Sequence, residues 1–148
     1  MRTVAQSTYG KEDVFEQDES FYLPLYYYED CGNPGFQSGF LIRGKAEIIS
    51  GQAPEKSIVT DESEVVYRFE NINPVLKYEV KATYSAPLGP VKQVLSANDM
   101  ALHTPMLIGQ TTPRTAWLSV PNEALQGDML ELRIQKTGGD GPASVAEI

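Results

Sequence analysis

Several things are scarce in this 148-residue sequence, and each scarcity excludes something. There is one cysteine, Cys31, so an internal disulfide is impossible. A chain of this length builds a sufficient core without one. Cys31 reads as a small buried hydrophobe, since no histidine lies near it in sequence to activate a thiol. There is one histidine, His103, which rules out a multi-histidine metal centre. It follows Leu102 and precedes Thr104-Pro105, where a surface or hydrogen-bonded role is expected. No Gly-x-Ser-x-Gly turn is present, so a serine nucleophile of that type is excluded. No apolar run approaches the roughly 18 residues that a membrane helix needs.

Positive charge is also short. Twenty acidic side chains face 12 basic ones, for a net charge of −8. No basic run breaks this balance, so nucleic acid and anionic membrane are excluded as partners. Neutral ligands such as glycans, and divalent cations, suit such a surface. The opening residues Met1 to Ser7 carry no apolar signal-peptide core. The closing Val145-Ala146-Glu147-Ile148 reads as a strand cut short, so we expect a piece of a longer polypeptide.

What is abundant is punctuation. The 12 glycines and 10 prolines leave little room for helix. One helical turn is expected at Asn122-Glu123-Ala124-Leu125, behind Pro121. Period-two alternation is clear between these breakers. Lys77 to Tyr84 puts Tyr78, Val80, Ala82 and Tyr84 on one face and Lys77, Glu79, Lys81 and Thr83 on the other. Glu64 to Phe69 alternates likewise, and Met129 to Lys136 turns Leu130, Leu132 and Ile134 inward. These are half-buried antiparallel strands. Further strands are expected at 21–28, 39–49, 91–97, 104–108, 115–120 and 143–148, with a loop at Gly138 to Gly141. About eight or nine short strands at this spacing indicate an all-β sandwich or barrel. Residues 1–20, polar and acidic from Gly10 to Ser20, form an arm or a loose first strand. Residues 21–148 form one β-sandwich domain.

Two segments carry a resemblance. The first is Tyr67-Arg68-Phe69-Glu70-Asn71-Ile72-Asn73-Pro74 running into Lys77-Tyr78-Glu79-Val80, a strand–turn–strand common in β-sandwich modules. The second begins at Val120-Pro121-Asn122-Glu123-Ala124 and continues through Gly127-Asp128-Met129-Leu130-Glu131-Leu132. It ends on the Gly138–Gly141 loop and Ala143 to Ile148. It resembles the closing part of galactose-binding-like jelly-roll domains, which accompany bacterial carbohydrate-active enzymes. The resemblance implies a jelly-roll β-sandwich acting as a non-catalytic accessory module. Its partners would be a glycan or polysaccharide and the other domains of an extracellular or periplasmic parent chain. It also implies a structural calcium ion, with Glu147 at the place where such domains set an acidic ligand on the last strand.

The residues add candidates of their own. In Ala116 to Val120, Leu118 and Val120 share a face, so Trp117 takes the opposite one with Thr115 and Ser119. An indole on a polar face is covered by another segment or offered to a ligand. Tyr26-Tyr27-Tyr28 places one ring opposite the other two, and Tyr27 is a second candidate, with Asp30 and Asn33 on the following loop. Plain strand aromatics are the competing reading of the tyrosines. The carboxylates Glu12, Asp13, Glu16, Asp18 and Glu19 lack the spacing of a calcium-binding loop and read as a solvated arm. Two alternatives to the binding module stand: a structural or interaction sandwich without a small-molecule ligand, and a small enzyme with a carboxylate pair.

Overall fold

The computed structural model describes residues 2–4, 25–26, 31–32, 39–49 and 56–148. Short antiparallel strands dominate. They are β1 (Arg2–Val4), β2 (Leu25–Tyr26), β3 (Phe40–Arg43), β4 (Lys45–Ile49), β5 (Lys56–Asp61), β6 (Glu64–Phe69) and β7 (Lys77–Tyr84). There follow β8 (Val91–Ala97), β9 (Met100–Ala101), β10 (Met106–Ile108), β11 (Arg114–Ser119), β12 (Leu130–Gly139) and β13 (Ala143–Val145). The expected helical turn is a single 3₁₀ turn, Asn122–Ala124, entered from Pro121. A proline before a helical start costs no hydrogen bond, because the first N–H groups of a turn have no internal acceptor.

One sheet has the order β11-β7-β1-β2. A second runs β10-β8-β12-β6-β3, with β9 beside β8, and a third runs β13-β5-β4. Alternation decides what the two larger sheets bury between them. Tyr78, Val80, Ala82 and Tyr84 from β7 join Val65, Tyr67 and Phe69 from β6 and Leu130, Leu132 and Ile134 from β12 in one apolar cluster. Each of these ten side chains is at most 2% exposed. Lys81 stays exposed on the far face, and a one-residue slip of β7 would exchange the two sets. Val59, Ala143 and Val145 bring the third sheet into the same cluster.

Two polar devices tie the layers. Gln93 is an inward-facing residue of β8, and its carboxamide takes the place of a strand. Its Nε2 donates to the Ser144 carbonyl at 2.8 Å, and its Oε1 accepts the Ser144 N–H at 3.0 Å. Both hydrogen-bonding ends of a fully buried amide are thereby used, which removes the cost of burying it. Asn98, in the turn between β8 and β9 at a left-handed φ of 46°, accepts the Glu131 N–H and donates to the Ala124 and Met129 carbonyls.

The expected strand over 39–49 is two strands. Gly44, at φ 143°, breaks it, and its missing side chain admits Val59 Cγ1. β3 then pairs with β6 and β4 with β5, so the chain changes sheet at this glycine. β5 was not expected from the pattern, because Ile58, Val59 and Thr60 are buried in succession and leave no alternation to read. β10 is shorter than expected, since Pro105 has no N–H for a ladder. β13 stops at Val145, and β12 extends through Gly139 into the expected loop across a bulge between Lys136 and Gly138.

Candidate functional site

The outward face of the β11–β7 sheet carries the candidate site. The register pairs Thr115 with Thr83, Trp117 with Lys81 and Ser119 with Glu79. Residues directly opposite in an antiparallel pair share a face, so these six side chains form one strip. Ala116 and Val120 are buried beneath it and Leu118 is half-buried. Trp117 lies 58% exposed on the strip. The Lys81 ammonium sits 5.2 Å from the centroid of its ring, a cation–π contact.

Glu147 adjoins the same strip. The chain end forms an isolated bridge to Thr83, with the Thr83 N–H donating to the Glu147 carbonyl at 2.9 Å. The Thr83 hydroxyl also donates to Glu147 Oε1 at 3.3 Å. Two of the five residues singled out in the sequence, Trp117 and Glu147, are therefore joined through β7. Tyr27, Asp30 and Asn33 lie outside the described residues, as do the carboxylates between Glu12 and Glu19. The sequence puts Lys81 and Thr83 on the outward face of their strand but does not mark them as site residues, because only the cross-strand register brings them to Trp117 and Glu147.

The test for calcium falls on Glu147. Calcium takes about six to eight oxygen ligands, several of them carboxylates. Among the described residues, no group of three or more histidine, cysteine or acidic side chains is placed to hold a metal ion. Those residues do not by themselves make a calcium site at Glu147.

The opposite outward surface, on β6 and β12, is chemically different. Arg133 Nη2 bonds Glu131 at 2.7 Å and its Nη1 bonds Glu64. Arg43 reaches Asp61 at 3.2 Å and Glu64 at 3.6 Å, and Arg68 reaches Glu70 at 3.6 Å. Partial burial works to raise the Asp61 pKa, but N–H groups of Ser63 and Glu64 and the Arg43 charge outweigh it and hold the carboxyl below its ordinary 3.8. A glycosidase acid needs the reverse, a carboxyl whose pKa is raised so that it keeps its proton.

His103 is fully engaged. Its Nε2 accepts the Leu95 N–H at 3.2 Å and lies 2.8 Å from the Tyr84 hydroxyl. Its Nδ1 lies 2.6 Å from the Thr104 carbonyl. A backbone N–H only donates and a carbonyl only accepts, so the proton belongs on Nδ1 and the Tyr84 hydroxyl donates to Nε2. Burial raises the Tyr84 pKa, which keeps that donor protonated. The ring is hydrogen-bonded on both nitrogens, as a structural histidine is. Cys31 is fully buried and its N–H donates to the Ala146 carbonyl at 3.0 Å.

Three solved carbohydrate-binding modules are similar to this chain. A family 35 carbohydrate-binding module from Clostridium thermocellum matches with a TM-score of 0.50 and 13% identity, over 74% of this chain and 88% of that one. This chain has the jelly-roll fold of that module. CBM35 from Paenibacillus barcinonensis gives 0.46 at 14% identity, over 75% of this chain and 92% of that one. The module CBM36, solved in complex with calcium and xylotriose, gives 0.49 at 13% identity, over 83% of this chain and 100% of that one. No family model and no curated protein matches the sequence.

Proposed function

We propose that this domain is a non-catalytic module that binds a glycan on the outward face of β11 and β7, with Trp117 as the stacking platform. One observation carries the reading: a tryptophan placed by strand alternation on the polar face and exposed over more than half of its surface. Leaving an indole in water forgoes roughly 2 kcal/mol or more of burial. A sugar recovers it, because the C–H face of a pyranose fits a flat ring while its hydroxyls meet the polar side chains around it. Thr115, Ser119, Glu79 and Thr83 supply such groups two residues along the strand from Trp117 or Lys81, on the same face. The jelly-roll fold shared with a carbohydrate-binding module supports the same reading.

The setting we propose is a larger extracellular or periplasmic protein, in which this domain anchors its neighbours to a polysaccharide. No helix among the described residues is long and apolar enough to cross a membrane. Tyr27, Asp30 and Asn33 remain proposed ligand contacts in addition to Trp117. Calcium at Glu147 is left out of the reading, because the described residues supply it a threonine hydroxyl and no carboxylate cluster. The competing reading, a sandwich that only spaces or docks domains, predicts no glycan affinity at all. Affinity electrophoresis in gels carrying xylan, glucomannan, galactan or soluble cellulose derivatives separates the two. Retardation in at least one gel, abolished by Trp117→Ala, is expected. Unretarded migration in all of them overturns the glycan reading.

A further inference from the structure

Arginines on the β6–β12 surface are spent on carboxylates, whereas the ammonium of Lys81 lies against an aromatic ring. Among the described residues no carboxylate pairs with Lys81. The register sets this contact: Lys81 stands directly opposite Trp117 across the β11–β7 pair. At 58% exposure the Trp117 ring keeps much of its surface in water while one face meets the ammonium.

We infer that Lys81 is a positioning residue for the Trp117 platform: its ammonium favours one orientation of the indole, and the exposed part of the ring is what a sugar would meet. This rests on the glycan reading above. The physical gain is preorganisation. A free surface indole samples several χ1 and χ2 states, and a stacking ligand must select one of them and bear that entropy. A cation held over the ring by the neighbouring strand makes the selection beforehand. The contact needs charge at the end of a stem of the right length, so arginine can replace lysine and methionine cannot.

The sequence has a single tryptophan, so its fluorescence reports on Trp117 alone. Two variants, Lys81→Met and Lys81→Arg, are compared with the parent protein in two measurements. The first is acrylamide quenching without sugar. K81M is expected to raise the quenching constant about twofold, as the ring loses its cation, while K81R leaves it unchanged. The second is titration with xylotetraose, cellotetraose and mannotetraose. For whichever of these the parent protein binds, K81M is expected to weaken affinity about fivefold and K81R to stay within about twofold of it. Unchanged quenching and affinity in K81M, with binding still lost in Trp117→Ala, overturns the role of Lys81 and leaves the glycan reading standing. Equal losses in K81M and K81R also overturn it, since a role that arginine cannot fill is not a cation–π one. If the parent protein binds none of the three sugars and none of the gel polysaccharides, the glycan reading falls and the positioning role falls with it. Quenching then still reports whether Lys81 holds the ring.

Discussion

The two outward surfaces of this sandwich differ in how their polar groups are satisfied. On β6 and β12 the charges answer one another: Arg133 bridges Glu64 and Glu131, and Arg43 bridges Asp61 and Glu64. On β11 and β7 the central feature is an exposed indole with the Lys81 ammonium against it, flanked by hydroxyls. A surface whose charges are already paired has little to offer a ligand, because each new contact displaces an old one. A surface with an unburied aromatic has free energy still to gain. On the reading proposed above, one face serves stability and the other recognition, and the contrast can be broken by mutations that move the wrong property.

The largest effect is expected at Trp117. Replacing it with alanine should lower glycan affinity by about two powers of ten, in keeping with the ~1–3 kcal/mol that one aromatic stack is worth and the loss of contacts around it. The melting temperature should barely move, since the residue is exposed. A fall in stability of ~3–5 kcal/mol would instead mark it as a buried aromatic and end the comparison. Isothermal titration and thermal melts on the same samples give both numbers.

A second effect of similar size belongs to the hinge between sheets. Gly44→Ala must fit a methyl against Val59 at a φ of 143°, so a loss of roughly 2–3 kcal/mol in chemical denaturation is expected. Glycan affinity should be unchanged in the fraction that remains folded, because β3 and β4 do not contribute to the strip. Any weakening of affinity would mean that the two faces are coupled.

Glu64→Gln tests the ionic face itself. Glu64 is 16% exposed and serves both Arg43 and Arg133. Removing its charge should cost about 1–2 kcal/mol, more than an exposed pair because two guanidinium groups lose a partner at once. Sugar binding should be untouched. Normal stability in urea would show that the network adds nothing, and the contrast between the faces would then rest on Trp117 alone.

Much of this was legible before any coordinates. Strict alternation in Lys77–Tyr84 and around Leu130 to Ile134 gives the strands, their buried faces and the sandwich, because burying one face of a pleated strand leaves a single register. The same logic puts Trp117 outside. Strand partners were not legible. Which strand lies beside β11 is set by long-range packing, so Lys81 opposite Trp117 and Thr83 beside Glu147 appear only in three dimensions. The sheet change at Gly44 was hidden because a glycine between apolar runs looks the same whether the strand continues or turns. β5 was hidden because a strand buried on both faces loses its period. The ion pairs were hidden for the first reason: Glu64, Asp61 and Arg43 meet through two different sheets.

The smallest expected effect is a pH dependence that belongs to one face. The Asp61 carboxylate accepts the Ser63 and Glu64 N–H groups at 2.9 and 3.0 Å and pairs with Arg43. Its pKa in the folded protein lies below the ordinary 3.8, burial being outweighed by these partners. A carboxyl whose pKa is depressed on folding stabilises the protein at every pH above its unfolded value. That contribution fades as the pH falls through the lowered folded value. Asp61→Asn keeps an oxygen for the two N–H groups but removes the charge. Parent protein and variant should therefore differ by about 0.5–1 kcal/mol near pH 7, the range of a partly exposed charge pair. The gap should close as the pH drops below the ordinary carboxylate range, where both side chains are neutral. Urea melts at pH 7, 4 and 2.5 follow the gap directly. A gap that persists unchanged at pH 2.5 would assign the loss to geometry in the turn and not to charge. A gap that widens would reverse the sign of the argument, and the carboxylates of the ionic face would then not be the groups that answer its arginines.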